Sequence, residues 1–527
     1  MIAELAVQPV VTRLVTTLKA RPAVIRWMGL FAFLALLSPT VINYTPYPLA
    51  WDESYYLNRI ICANQAFYDF SLSRLSECLA HTHKGPIMEL VNLPWGHAGG
   101  TEQGIGLAFV GLALFIWVLI LVTYHTCLQC GISPIFLLLS AATIGLTSFL
   151  RANAGAMMTD TLLGWCVALA LMLIPLEYSS PSKGLWPSFC RGLLWSVVIN
   201  VGMLNKVTFV FFLGAIGFAL LLIRSDYSGE WPLRCAVLGC VVGSLPAILV
   251  WRYYGLNFLR FAFLVAWGGT AKLWSIPGLT AGGYLKRYVG QLGLALIPLS
   301  ILLVLFVRGL IIDNQRRLGR LLPIGIILIY LVIAARSQNR DPRFGIPIMI
   351  AMPICLAWTS AKQKTPVPLG AAPVFGALLM FVALSAPMVR RPEIGPIRSA
   401  EDLLITLERN QPLQGQPMKI LIATDGPAFN IDSFLLARQI GWDKLRAVDV
   451  DTLVYDAVNK RTIEDGLKRI DAADYVLFLR PGLTPGADWQ RVWAQDYRAH
   501  CEKAGILLDA KTSPDLDVFK IAKADAR

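Results

Sequence analysis

Apolar runs of roughly 17 to 22 residues recur along the first 390 positions, separated by short polar stretches. At 1.5 Å of rise per helical residue, such a run crosses a hydrocarbon core about 30 Å thick. The pattern predicts eleven spans, near 24–43, 104–124, 133–150, 157–176, 189–204, 207–223, 234–252, 289–308, 320–335, 344–360 and 369–389. The stretch 255–285 is apolar enough to hold a re-entrant or interfacial helix, so the count extends to about 11–13. Beyond residue 395 the period changes. "KILIAT", "YVLFLR", "ILLDA" and "DVFKIA" read as short strands, and "TIEDGLKRIDAA" and "DWQRVWAQDYRAHCEKAG" read as helices. The expected fold is a polytopic α-helical membrane protein with a C-terminal soluble α/β domain. Its boundaries fall at 1–395 and 396–527, with a large first external loop over 44–103.

Composition agrees. Only 15% of the 527 residues are charged and 56% are hydrophobic, where a soluble chain carries about 25% charged. The net charge of +13 is uneven. Residues 1–400 hold 30 Lys and Arg against 14 Asp and Glu, and the remainder hold 17 against 20. The excess cations flank spans rather than forming a nucleic-acid footprint. Five basic clusters alternate with the spans: Arg13 to Arg26, Lys183 with Arg191, Arg224 with Arg234, Arg308 to Arg320, and Lys362 with Lys364. The positive-inside rule places them, and the N-terminus, in the cytoplasm. The loop 44–103 and the C-terminal domain then lie outside, in the periplasm of a bacterial inner membrane.

Outside, against that bias, stand Lys84, Arg151, Arg252, Arg260, Lys272, Lys286, Arg287, Arg336, Arg340 and Arg343. Such a set points to an anionic ligand or to lipid headgroups. Acids are few there. Asp52 and Glu53, in "WDESYY", follow the first span, and an Asp in a partly dry cleft facing a cation can serve as a general base toward a hydroxyl. Lys84 in "HTHKGP" offers an ammonium at a Gly-Pro turn. His81 and His83 could add donors or a metal ligand. Arg151 precedes the fourth span and Asp160 opens it, as a salt bridge that orients the span or as part of a site. Lys206 sits at a hairpin, as a phosphate contact or a snorkelling anchor. Arg340 and Arg343 precede the tenth span, and guanidinium is the group that clamps phosphate bidentately.

These stretches together resemble the GT-C superfamily of membrane glycosyltransferases, in the branch of the protein O-mannosyltransferases and the bacterial lipid A aminoarabinose transferases. The resemblance rests on the acidic pair Asp52–Glu53 in a large first loop and on Lys84-Gly85-Pro86. Arg151 with Asp160, and Arg343-Phe344 with Pro347, complete it. It covers residues 20–390. Two positions depart from the family pattern: Phe344 stands where a tyrosine is usual, and His83 where an acid often precedes the lysine. The resemblance implies a polyprenyl-phosphate sugar donor and a lipid, glycan or protein acceptor offering a hydroxyl on the external face. Asp52 would act as base in an inverting transfer, with Glu53 orienting it or a sugar hydroxyl. Lys84 with Lys206, Arg340 or Arg343 would stabilise the departing phosphate. No cofactor is required and no metal site is assigned, although a divalent cation is compatible with the loop. No nucleotide motif of the type G-x-x-x-x-G-K-[ST] occurs.

The remaining features are weaker. Asp449-Val-Asp451 and Asp515-Leu-Asp517 flank strands outside the membrane, where nucleotide sugars are absent. The C-terminal domain fits acceptor or partner recognition, or a cap over the site. Ten cysteines lie mostly in apolar runs, and Cys127 with Cys130 forms a weak metal or redox motif. Cys62 and Cys78 share the first external loop and could pair in an oxidising compartment. The alternative functions are a transporter or flippase of an anionic lipid, which would show repeats and mid-bilayer charges, and a surface-glycan polymerase with the same donor chemistry.

Overall fold

The computed structural model describes residues 22–41, 47–48, 51–79, 85–93, 102–157, 159–179, 184–226, 236–245, 278–312, 317–337, 340–361, 392–393, 395–410, 417–424, 429–445, 447–454, 461–480, 493–508 and 515–522, with single positions at 260, 263, 267, 426 and 456.

The described chain is mostly helical. The first ten expected spans all contain apolar helices, and the eleventh, 369–389, lies outside the described residues. They begin with α1 (Pro22–Val41). The segment expected as the large first external loop contains three helices: α2 (Trp51–Tyr68), α3 (Leu72–Leu79) and α4 (Ile87–Asn92). Next come α5 (Glu102–Gln129), α6 (Pro134–Leu146), α7 (Ser148–Ala152) and α8 (Thr159–Ser179). The third expected span is thus broken at Thr147, whose extended backbone ends α6. α9 (Leu185–Asn205), α10 (Val210–Asp226) and α11 (Ala236–Leu245) follow. The eighth span starts earlier than its hydropathy suggests. α12 (Ala281–Leu292) runs into α13 (Leu296–Ile312) through a 3₁₀ turn at Gly293. α14 (Arg317–Arg336) and α15 (Ile346–Ala361) complete the described bundle.

α8 is the axis of the bundle. Its apolar window is wholly enclosed, packed by α5, α9, α10, α14 and α15. A helix hydrophobic all round is one that other helices surround. Small residues allow the closest approach: at the α9–α11 crossing a Cβ on Gly192 would lie 2.3 Å from the Ala236 carbonyl oxygen, and one on Gly239 would lie 2.4 Å from that of Phe189. Ser196, Asn200 and Ser244 hydrogen-bond across the same seam, the usual way for helices to associate where lipid removes the hydrophobic drive.

The C-terminal unit opens with α16 (Gly395–Arg409), which buries Ile397, Ala400, Leu403, Leu404 and Leu407 along one stripe. That stripe packs on α17 (Ile431–Ile440); the short α18 (Trp442–Leu445), α19 (Ile463–Asp471) and α20 (Ala494–Ala504) complete the helices. Two residues upstream of α2, β1 (Tyr47–Pro48) pairs in parallel with β2 (Pro392–Glu393). The main sheet has the order β4-β3-β5-β7-β6. β3 (Met418–Ile422) lies parallel to β4 (Val448–Thr452) and β5 (Tyr475–Leu479), and β7 (Leu516–Ile521) runs antiparallel to β5 and to β6 (Gly505–Leu507). Asp449 and Asp451 stand within β4 rather than flanking it. Asp451 binds Arg469, and Asp517 is held between Arg480 and Arg498, so these carboxylates are engaged in ion pairs.

Candidate active site

α2 begins where its sequence says a helix should: Asp52 and Glu53 occupy the first turn, where carboxylates complement the helix dipole. Asp52 points out of that turn to Arg343. The Arg343 Nη1 donates to Asp52 Oδ2 at 2.8 Å, and both side chains are about a third exposed. The same guanidinium grips Asp341 through Nε at 2.9 Å and Nη2 at 2.8 Å. Asp341 in turn caps the 3₁₀ turn Pro342–Gly345, accepting from the Arg343 backbone N–H at 2.9 Å. The local reason is the Asp-Pro pair, which sets an N-cap before a fixed φ. Arg343 is therefore aimed by its own neighbour before it reaches across 291 residues.

Charge favours the ionised forms of Asp341 and Arg343. Burial works against the Asp341 carboxylate, but the Arg343 charge and hydrogen bonds outweigh it and hold Asp341 below the ordinary carboxylate value, with Lys206 assisting. Burial likewise opposes the Arg343 charge, and Asp341, Asp52 and Asp160 together lift it well above its usual value. One cation thus answers to three carboxylates brought from three distant segments.

Asp160, in the first turn of α8, is nearly fully buried and forms an ion pair with Lys206, the residue that follows α9. Its cation is therefore Lys206 and not Arg151. The neighbouring pair repeats the register: Asn205 Nδ2 donates to the Thr159 carbonyl at 2.8 Å. The Lys206 ammonium also sits 5.4 Å from the centroid of the Phe344 ring, so Lys206 touches the residue next to Arg343. Arg151, in the short α7, is half-buried, and its Nε has no hydrogen-bond partner among the described residues.

Glu53 is 1% exposed and accepts from the Met157 N–H at 2.9 Å. It fixes α2 on the turn that precedes α8. Arg340 directs Nε to the Ala335 carbonyl at 3.1 Å and Nη1 to that of Leu279. Its observed contacts make it a strap between α14 and the start of α12. His81, His83 and Lys84 lie outside the described residues. Gly85, directly after Lys84, packs on the carbonyl of Leu204 at the end of α9. Among the described residues, no three His, Cys, Asp or Glu side chains are spaced to hold a metal.

A second buried pair supports α2 from behind. Arg59 Nε lies 2.7 Å from Glu89 Oε1, with side chains 5% and 0% exposed. Arg59 also donates to the Tyr55 hydroxyl at 2.7 Å and to the carbonyls of Cys78 and Leu79. Burial pushes the Tyr55 phenol up to about 12, partly countered by the Arg59 charge. Cys62 and Cys78 form a disulfide, joining α2 to α3 with a sequence separation of 16. The sequence had supplied the two cysteines. It did not pair Arg59 with Glu89 or Asp341 with Arg343, although Asp341-Pro342 is a legible cap signal.

The whole arrangement sits on a known scaffold. Superposed on the crystal structure of ArnT from Cupriavidus metallidurans bound to undecaprenyl phosphate, the chain gives a TM-score of 0.58 at 12% identity, covering 96% of this chain and 99% of that one. The apo form of the same protein gives 0.58 at 11% identity, with 95% and 98% covered. The fold is that of ArnT. No protein-family model and no curated protein sequence matches the chain. The likeness to the lipid A aminoarabinose transferases, read from a handful of charged residues, is thus borne out as a likeness of fold extending over nearly the full length of both chains. The expected GT-C-like bundle with a C-terminal α/β unit is the observed one.

Proposed function

We propose that this protein is an integral-membrane glycosyltransferase that moves a sugar from a polyprenyl-phosphate donor to a hydroxyl of a lipid, glycan or protein acceptor. The observation that carries the reading is the convergence of Asp52, Asp160, Lys206 and the Asp341–Arg343 turn, from four segments, at one end of an ArnT-like bundle. The ArnT of the first comparison binds undecaprenyl phosphate, and a cluster holding guanidinium and ammonium groups is chemically suited to the phosphate of such a lipid.

In the proposed reaction the acceptor oxygen attacks the anomeric carbon from the face opposite the phosphate. Its proton passes to Asp52 as the bond between that carbon and the phosphate oxygen breaks. The electron pair leaves with the polyprenyl phosphate, and the configuration inverts. Arg343 touches Asp52 and projects from the same site, so it links the base to the charge that develops on the leaving group. Lys206 and Lys84 supply further positive charge. Arg340 contributes by shaping the turn, Glu53 by holding α2, and Asp160 by placing Lys206. The N-terminus is assigned to the cytoplasm, and the site and C-terminal domain to the periplasmic face of the inner membrane.

The test is transfer by purified protein from a panel of radiolabelled polyprenyl-phosphate sugars to membrane lipid and glycan extracts, wild type against Asp52→Asn. Transfer that collapses in the Asn variant while donor binding persists is the expected result. A wild type that consumes no donor, or an Asn variant of equal activity, overturns the proposal.

A further inference from the structure

Three consecutive residues at the start of α2 are held by three different parts of the chain. Asp52 is paired with Arg343 at the start of the tenth span. Glu53 is bonded to the backbone of Met157 before α8. Ser54 is turned the other way, its hydroxyl 3.4 Å from that of Ser433 in the C-terminal unit, and both serines are fully buried.

Ser433 is itself rigidly placed. It lies in the first turns of α17, capped by Asn430, whose Oδ1 accepts from the Ser433 N–H at 3.0 Å. Asn430 is also fully buried. α17 packs along α2, and Asp432 lies within electrostatic reach of Tyr55. A pair of hydroxyls enclosed between two helices is satisfied at one axial and rotational setting, and separating them leaves buried polar groups without that contact. A slip of α2 by one residue turns every side chain by about 100°, which carries Asp52 off Arg343. The β1–β2 pairing fixes the chain just upstream of the same turn.

We infer that Ser433, acting through Ser54, is a positioning residue for Asp52, and that the C-terminal unit is thereby an integral part of the catalytic machinery. This rests on the reading of Asp52 as the base. The unit contributes no group to the reacting atoms in this scheme. It sets the angle at which α2 presents its first turn.

The experiment uses the full chain in lipid nanodiscs with two readouts: sugar-transfer kinetics, and amide hydrogen exchange over residues 51–68. Ser433→Leu removes the hydroxyl and wedges the seam, Ser433→Thr keeps the hydroxyl, and Ser54→Ala removes its counterpart. Ser433→Leu is expected to lower kcat about tenfold, the scale of a sub-ångström misplacement, with the donor KM unchanged; its wedge also lowers the melting temperature, whereas Ser54→Ala, which adds no bulk, is expected to leave that temperature near the wild-type value. Exchange in the first turns of α2 is expected to rise by about the same factor. Ser433→Thr is expected to retain wild-type values, and Ser54→Ala to reproduce the Leu effect more mildly. Wild-type kcat in Ser433→Leu, or a loss of kcat in Ser54→Ala matched by a fall in its melting temperature, overturns the inference. If the wild type transfers no sugar at all, the proposed function fails. Exchange then still decides the positioning: unchanged exchange in Ser433→Leu overturns it, and accelerated exchange supports it.

Discussion

Gly85 and the carbonyl of Leu204 meet so closely that a Cβ on Gly85 would lie 1.5 Å from the oxygen. The glycine inserted between Lys84 and Pro86 is therefore a packing requirement, because only a residue without a side chain lets this turn rest on the end of α9. Leu204 is two residues before Lys206, so the contact seats Gly85 and Pro86 against the end of the helix that carries a cation of the cluster. Gly85→Ala must push the two segments apart. Overpacking of this kind costs about 1–3 kcal/mol, and donor affinity is expected to fall between about fivefold and a hundredfold, at 1.4 kcal/mol per decade. Equilibrium binding of polyprenyl phosphate checks it; wild-type affinity in the Ala variant would refute the coupling.

Arg343 uses three nitrogens on two carboxylates, a fork that an ammonium cannot reproduce. Arg343→Lys is expected to keep the charge and lose about a hundredfold in kcat/KM, the cost of misplacing a group at the reacting centre. Steady-state kinetics of Lys and Ala variants side by side decide the point. A Lys variant near wild type would mean that charge alone suffices.

Asp341 gives a pH signature. Its folded pKa is held below the ordinary value of about 3.9. A depressed carboxyl contributes stability above its unfolded pKa, and that contribution is lost as pH falls through the lower folded value. Asp341→Asn is therefore expected to be less stable than wild type at pH 5 to 7, and the gap is expected to close below about pH 4. Melting temperatures across pH read it. A gap that widened on acidification would contradict the Arg343 assignment.

The Arg59–Glu89 pair is enclosed almost completely. Removing one member strands the other charge, which costs about 3–5 kcal/mol, whereas replacing both by apolar residues of similar size is often neutral. Arg59→Met alone is expected to destabilise strongly, and Arg59→Met with Glu89→Leu is expected to recover most of the loss. Thermal melts of the singles and the double form the cycle. Additive losses would mean that the pair does not act as a unit.

The Cys62–Cys78 bridge joins residues with a sequence separation of 16, and for a loop of this length the chain-entropy account gives about 3 kcal/mol. Reduction, or Cys62→Ser with Cys78→Ser, is expected to lower the melting temperature and to loosen α2 before the bundle itself melts. Exchange mass spectrometry of 51–79 on intact and reduced protein checks the order of events.

The sequence made the architecture legible because its two signals are local. Apolar length marks spans, and the loss of that period past residue 395 marks the α/β unit. The acidic turn at Asp52 and Glu53, the arginine at 343 and the acid at 160 were each visible as charges where charges are costly. Their partnerships were not. Lys206 and Asp160 are 46 residues apart and Arg343 and Asp52 are 291, and no periodicity records which cation a buried acid selects. Trp51–Tyr68 was hard to read as a helix because its apolar face is divided among α4, α17 and the bundle, leaving no single stripe. Ser54 and Ser433 carried no signal at all, since a serine contact is defined only by the packing around it.

The short ladder between Tyr47–Pro48 and Pro392–Glu393 also orders events in time. A nascent chain makes the acid helix early, but β2, the partner of the strand that precedes it, and the α17 seat emerge only after the last spans have been synthesised. Until then Asp52 lacks the scaffold behind it. A chain that ends before Pro392 thus carries the proposed base on a helix without the strand and the serine that hold it in place.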